Sequence, residues 1–256
     1  MILLMGGTSE TNVIASALAE AGYEVLVSTA TDVELDVGCH ARICRRAGRL
    51  TEEAMLVLVR EKGIRAIVDA THPYASAAHS VAAYVADQAG VPYMMFDRPS
   101  VDRFDDDVIL ADSHEDAAVL AFAIGRPVLL TTGSRNLEPY IRESNRIGTL
   151  LIARVLDHPE SLEACRKAGL KDEQIIVGRG PFSEADNRST IRKHNIGALV
   201  TKDSGAAGGV EEKLSAARLE SCRIVVVTRP VLVSDAFSSV EKLLDAILQS
   251  VSVTKR

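Results

Sequence analysis

Basic and small polar residues recur after one apolar run after another in the second half of this 256-residue sequence. They stand in Thr131-Thr132-Gly133-Ser134-Arg135, Ala153-Arg154-Val155, Gly178-Arg179-Gly180-Pro181-Phe182-Ser183, Thr201-Lys202-Asp203-Ser204-Gly205 and Thr228-Arg229-Pro230. Guanidinium groups bind carboxylates and phosphates through paired hydrogen bonds, so cations gathered along one edge suit a ligand with several anionic groups. Singly, each is better explained by a surface salt bridge, but five at one edge are harder to dismiss. The stretch from Lys202 to Gly205, with Gly208 and Gly209 behind it, reads as a donor-rich loop of the anion-nest kind.

The first half offers different chemistry. Gly6-Gly7-Thr8-Ser9 follows the apolar Ile2–Met5, a strand running through glycines into a helix. Glycines there let a phosphate approach the backbone, where free N–H groups and the helix dipole favour an anion. The spacing lacks the third glycine of a dinucleotide fingerprint, so a turn without ligand stays an equal reading. Ser28 and Thr29 end the next apolar run, where an acidic residue would select a free ribose 2′-hydroxyl. Their neutrality admits a 2′-phosphate, with Arg45, Arg46 and Arg49 in reach, while Asp32, Glu34 and Asp36 keep NADH open. His72 follows a third apolar run, as a binding or proton-handling group or as a satisfied loop histidine.

The elements that must position these residues alternate. Short apolar runs at 24–29, 64–69, 91–96, 127–131, 150–155, 174–177, 198–201 and 223–227 read as strands, with 41–45 and 108–111 as shorter ones. Helical patterns of about 10–15 residues lie between them, so the chain is α/β with βαβ units and parallel sheets. The Pro99-containing, acidic stretch at 98–107 reads as a link. The expected architecture is two Rossmann-like, doubly wound parallel-sheet domains, residues 1–100 and 101–256, with a cleft between them.

Hydrophobic content of 47% and charged content of 25% describe an ordinary globular chain, and a net charge of −6 argues against a nucleic-acid binder. No run approaches a membrane span or a signal peptide, so a cytoplasmic location is expected. The four cysteines show no metal or disulfide spacing and read as reduced thiols; no metal cluster is legible.

Gly6-Gly7-Thr8-Ser9-Glu10, Asp69-Ala70-Thr71-His72-Pro73-Tyr74-Ala75, Thr132-Gly133-Ser134, Ala153-Arg154-Val155, Gly180-Pro181-Phe182-Ser183 and Thr201-Lys202-Asp203-Ser204-Gly205 occur in this order and together resemble the precorrin-6A reductase family, including its cobalt-precorrin-6A form. The resemblance spans nearly the whole chain. It implies a reductase of one double bond in a polycarboxylate tetrapyrrole, working with NADPH or NADH as monomer or weak homodimer. With that resemblance beside the strand-end reading of Ser28 and Thr29, the cofactor falls to Gly6, Gly7, Thr8, Ser9, Glu10, Ser28, Thr29 and Thr71, and the substrate to Tyr74, Ser134, Arg135, Arg154, Ser183, Ser204 and Gly205. His72 and Lys202 are by position the candidates for proton transfer, with water as the alternative source. The alternatives are a nicotinamide-dependent reductase of another polyanion and a non-catalytic tetrapyrrole or nucleotide sensor.

Overall fold

The structure is a computed structural model and describes residues 1–97, 104–204, 209–229 and 236–252. The first sheet contains β1 (Ile2–Met5), β2 (Val25–Thr29), β3 (Ile43–Ala47), β4 (Ala66–Asp69) and β5 (Tyr93–Met95), with helices α1 (Glu10–Glu20), α2 (Glu52–Glu61) and α3 (Ser76–Ala89) between them. All its pairings are parallel, in the order β3-β2-β1-β4-β5. β1 is apolar throughout because both faces are covered. Ile2 and Leu4 pack towards α1, while Leu3 and Met5 pack towards Met55 of α2 and Ala82 and Val85 of α3.

The second sheet is built from β6 (Val108–Ala111), β7 (Val128–Leu130), β8 (Leu151–Val155), β9 (Ile175–Val177), β10 (Ala198–Lys202) and β11 (Arg223–Val227). Its helices are α4 (His114–Phe122), α5 (Glu138–Ile147), α6 (Pro159–Lys167), α7 (Glu184–Lys193) and α8 (Val210–Leu219). The order β6-β11-β10-β7-β8-β9 is again wholly parallel, so every strand ends on one edge as expected. α7 and α8 cover the face carrying Leu129, Ile152, Leu199 and Ile224. Ser113 caps α4, its hydroxyl accepting from the Asp116 amide at 3.0 Å.

The expected boundaries need one correction. The chain divides into a unit of Met1–Pro99 with Pro230–Arg256 and a unit of Ser100–Arg229, so the C-terminal end belongs with the first unit. The reason is the apolar face of a last helix, α9 (Val240–Ser250). Leu243, Ile247 and the following Val251 are buried in the same cluster as Ile14 and Leu18 of α1. Tyr23 fixes the end by donating its hydroxyl to the Val251 carbonyl at 2.6 Å. Residues 98–103 of the expected link lie outside the described residues, and Asp105 and Asp107 pair with Arg218 in the second unit.

Candidate functional site

Each sheet has one place where the strand order reverses, and ligands of open α/β sheets gather at the strand ends there. In the first sheet it falls between β1 and β4, which places the glycine turn beside Asp69–Tyr74. The Thr8 hydroxyl ties the two turns by donating to the Ala70 carbonyl at 3.0 Å. A Cβ on Gly6 would stand 2.6 Å from Thr11 Cγ2, so Gly6 is required by the close approach of α1 to β1. The amides of Gly7 and Thr8, expected to be free for phosphate, instead donate to Thr11 Oγ1 at 3.1 and 3.2 Å. The room that remains is above Gly7, whose φ of +130° lies in the glycine region and where an added Cβ would meet nothing within 4 Å. Ser9 makes no capping bond with its side chain, which leaves that helix start open to an acceptor.

β4 ends in a carboxylate that is fully buried. Asp69 accepts from the Thr71 amide (3.0 Å), the Thr71 hydroxyl (2.7 Å) and the Tyr93 hydroxyl (2.9 Å), and its Oδ2 lies 2.9 Å from His79 Nδ1. Burial alone would raise its pKa, but bonds to His79 and Thr71 and the His79 charge hold the carboxyl below its usual range. Burial likewise works against charge on His79, and Asp69 reverses this, raising its pKa with help from the carbonyls of Pro73 and His72. Burial and Asp69 together push the Tyr93 hydroxyl up. The network therefore holds an ion pair that shapes the turn carrying His72 and Tyr74. Thr71 is spent on that turn. The ring of His72 lies 5.5 Å from that of Tyr74, and its Nδ1 accepts from the Tyr74 amide at 3.4 Å.

At the end of β2, Arg46 donates to Ser28 Oγ at 2.6 Å, and Arg45 approaches Thr29 Oγ1 at 3.1 Å and the Val33 carbonyl at 2.6 Å. Their partners are hydroxyls and carbonyls, with no carboxylate on either among the described residues. Two uncompensated guanidinium groups thus stand where a ribose 2′-substituent is read.

The second sheet reverses between β7 and β10. Half-buried Lys202 sits there, its pKa pushed down to about 8 by burial and by the charge of Arg135. Thr132, just after β7, has a buried hydroxyl with no hydrogen-bond partner. Lys202 also acts on His114, whose pKa burial and that charge push down to about 4, so its imidazole is neutral. Asn136 Nδ2 lies 2.9 Å from His114 Nε2 and Tyr140 Oη lies 2.8 Å from Nδ1. With the amide donating to Nε2, the Nδ1 proton points at Tyr140.

The expected cations do not all join this group. Arg229 bonds the carbonyl of Asp203 at 2.9 Å and its carboxylate at 3.3 Å. Arg154 turns onto the face beneath α7, donating to Asn187 Oδ1 at 2.6 Å and Thr190 Oγ1 at 3.1 Å. The charge it acts on is that of Lys213, a buried α8 residue pushed down to about 8 chiefly by burial. Ser183 caps α7, its hydroxyl 2.6 Å from Asp186 Oδ2 and accepting from the Asp186 amide at 3.1 Å. Ser134 and Ser204 lie at the strand ends after β7 and β10, while Gly205 lies outside the described residues. The described cysteines are free, no group of metal ligands occurs among the described residues, and no described helix is long and apolar enough to cross a membrane.

Sequence reasoning missed His79, Tyr93, His114 and Lys213. His79 had a signal: it shares helical spacing with the buried Ala82 and Ala86, marking an inward face. His114 opens the helix after β6 and answers to the strand-end rule that found Lys202. Tyr93 and Lys213 read as ordinary strand and helix residues.

The model of the family described as precorrin-6x reductase CbiJ/CobK matches residues 1–248. A cobalt-precorrin-6A reductase of Priestia megaterium is 32% identical, the match covering 97% of this chain and 98% of that protein. A precorrin-6A reductase of Rhodococcus erythropolis is also 32% identical, over 100% and 99% of the two chains. The solved structure titled CobK precorrin-6A reductase superposes with a TM-score of 0.79 at 22% identity, over 100% and 99% of the chains, which shows the shared fold. With the two parallel sheets and their strand-end sites, these matches establish that the chain belongs to the precorrin-6x reductase family and is an oxidoreductase of cobalamin biosynthesis.

Proposed function

We propose that this chain reduces one double bond of precorrin-6A or cobalt-precorrin-6A with NADPH, the cofactor held by the first unit and the macrocycle's carboxylates by the second. When bound, NADPH supplies a hydride to one ring carbon; the chain supplies binding, orientation and a proton for the neighbouring carbon. Arg45 and Arg46 hold the 2′-phosphate, and the open side of Gly7 with the start of α1 takes the pyrophosphate. His72 and Tyr74 border that site from the turn fixed by Asp69. Arg135 binds a carboxylate, and Lys202 delivers the proton and leaves as the neutral amine.

The observation that carries this reading is Lys202, a half-buried lysine at the second switch point whose pKa of about 8 suits reversible proton transfer near neutral pH. Single-turnover oxidation of NADPH and of NADH, with cobalt-containing and metal-free substrate, tests it. Lys202→Gln lowers the rate by roughly a hundredfold or more and removes the alkaline limb of the pH–rate profile near 8. A Gln variant with the parent's rate and profile places proton delivery elsewhere.

A further inference from the structure

Arg154 is only 5% exposed, yet no carboxylate contacts it among the described residues. Its two outer nitrogens donate to neutral acceptors, the Asn187 amide oxygen and the Thr190 hydroxyl. Its plane lies over the Phe182 ring, 4.3 Å from the centroid. Its Nε, the one nitrogen that makes no bond, is buried without a hydrogen-bond partner. Burying a charge is costly unless it is paired and its donors are satisfied, and here neither condition is met. The Arg154 charge also reaches a second buried cation, Lys213, whose pKa burial and that charge push down to about 8. The acid that acts on Arg154 is Asp186, and its carboxylate is already engaged by the amide and hydroxyl of Ser183.

A pocket of about 320 Å³ leads to this guanidinium, walled by Ile176, Phe182, Asp186, Ser189 and Thr190, with Lys193 and His194 completing the lining. That volume is at the bottom of the range for ligand sites, about 300–1,000 Å³, so it admits an anionic arm of a ligand and not a macrocycle. Phe182 and Ile176 give such an arm apolar walls for a short hydrocarbon stem, and Arg154 and Lys193 supply cations to the lining, where the Asp186 carboxylate is engaged by Ser183.

We propose that Arg154 is the anchor of an oxyanion subsite in the second unit, taking one carboxylate or phosphate group through the pocket between Phe182 and α7. The orphan Nε–H is the donor kept for it. The site is separate in its residues from Arg135 and Lys202. In naming a ligand group it rests on the reductase reading, which supplies a substrate with many carboxylates and a cofactor with phosphates; the subsite itself is tested without either.

Propionate and inorganic phosphate are titrated separately into the full-length wild type, Arg154→Gln and Ser189→Leu, followed by NMR of the α7 amides. Ser189 is exposed at the pocket wall, so leucine there plugs the entry without touching the guanidinium. Saturable wild-type binding, weakened roughly tenfold or more in both variants, supports the subsite. Equal titrations in the wild type and Ser189→Leu overturn it, and that comparison stands even where Arg154→Gln does not fold. The same variants are then titrated with NADPH and with the tetrapyrrole. Loss of tetrapyrrole affinity alone identifies a substrate carboxylate as the natural occupant, and loss of NADPH affinity alone identifies a cofactor phosphate. An absence of NADPH oxidation by the wild type would count against the reductase reading and leave the propionate result unaffected.

Discussion

In the first unit a buried carboxylate, Asp69, meets His79, Tyr93 and Thr71, whereas in the second the buried cations Arg154 and Lys213 oppose each other. Both lie near the strand ends where each sheet offers its ligands. The first arrangement pairs its charges without a ligand, Asp69 against His79, and its product is a fixed turn, although His79 Nε2 is itself buried without a hydrogen-bond partner. The second holds a buried guanidinium, Arg154, with no carboxylate in contact among the described residues and its Nε unpartnered. A buried charge paired within the fold positions residues, and one left without a counter-ion is built to receive something.

The largest expected effect breaks the paired side. Asp69→Ala removes one partner of a buried ion pair and should lower stability by about 3–5 kcal/mol in urea unfolding. Arg154→Met should change it by at most about 2 kcal/mol, because hydrogen bonds to Asn187 and Thr190 are lost while an uncompensated charge is removed. Equal losses in the two variants would mean that the charges are buried on the same terms.

A smaller effect follows from pH. His79 has a raised folded pKa, so its contribution is complete below its ordinary value near 6.5 and is lost as pH climbs through the folded one. Asp69 is depressed, so its share disappears only as pH falls through a value below 3.8. Lys202 and Lys213 are lowered from 10.5 to about 8, so their protonated forms cost stability below 8 and that cost is relieved between about 8 and 10.5. Hydrogen-exchange protection factors should therefore fall for β4 and β5 above the histidine range, and rise for β8 and β10 from pH 8 to 10. Parallel changes in the two sheets would contradict the contrast.

The sheets were legible because both are covered on two faces, which makes strands such as Ile2–Met5 and Arg223–Val227 near-continuous apolar runs. Lys202 and Arg135 were legible for a related reason: parallel strands end together, so polar residues after them must share an edge. What failed was anything decided by side-chain direction or by the chain's return path. Arg154 follows β8's alternation onto the α7 face, like Ile152 two residues earlier. The glycine turn's amides are satisfied by Thr11, which the glycine pattern does not reveal. α9 shows an amphipathic face in the sequence, but nothing in that face says that α1 is what it covers.

The smallest expected effect concerns cofactor choice, where the first unit has its own unfinished charges. Arg45 and Arg46 contact Thr29 and Ser28 through hydroxyls and touch no carboxylate among the described residues. A 2′-phosphate would supply the missing anion, so NADPH should serve at least as well as NADH. Thr29→Asp places a carboxylate within reach of Arg45, which both neutralises that guanidinium and repels the phosphate. The ratio of kcat/KM for NADPH over NADH should then fall by roughly tenfold, about 1.4 kcal/mol. Thr29 is buried and donates to the Thr31 carbonyl at 2.8 Å, so this variant will also lose stability. The ratio is insensitive to that loss because both cofactors meet the same folded fraction. Arg46→Gln provides the second arm, lowering the NADPH rate constant while leaving that for NADH near the parent value. A wild type that strongly prefers NADH, or an unchanged ratio in both variants, would put the ribose somewhere other than the end of β2.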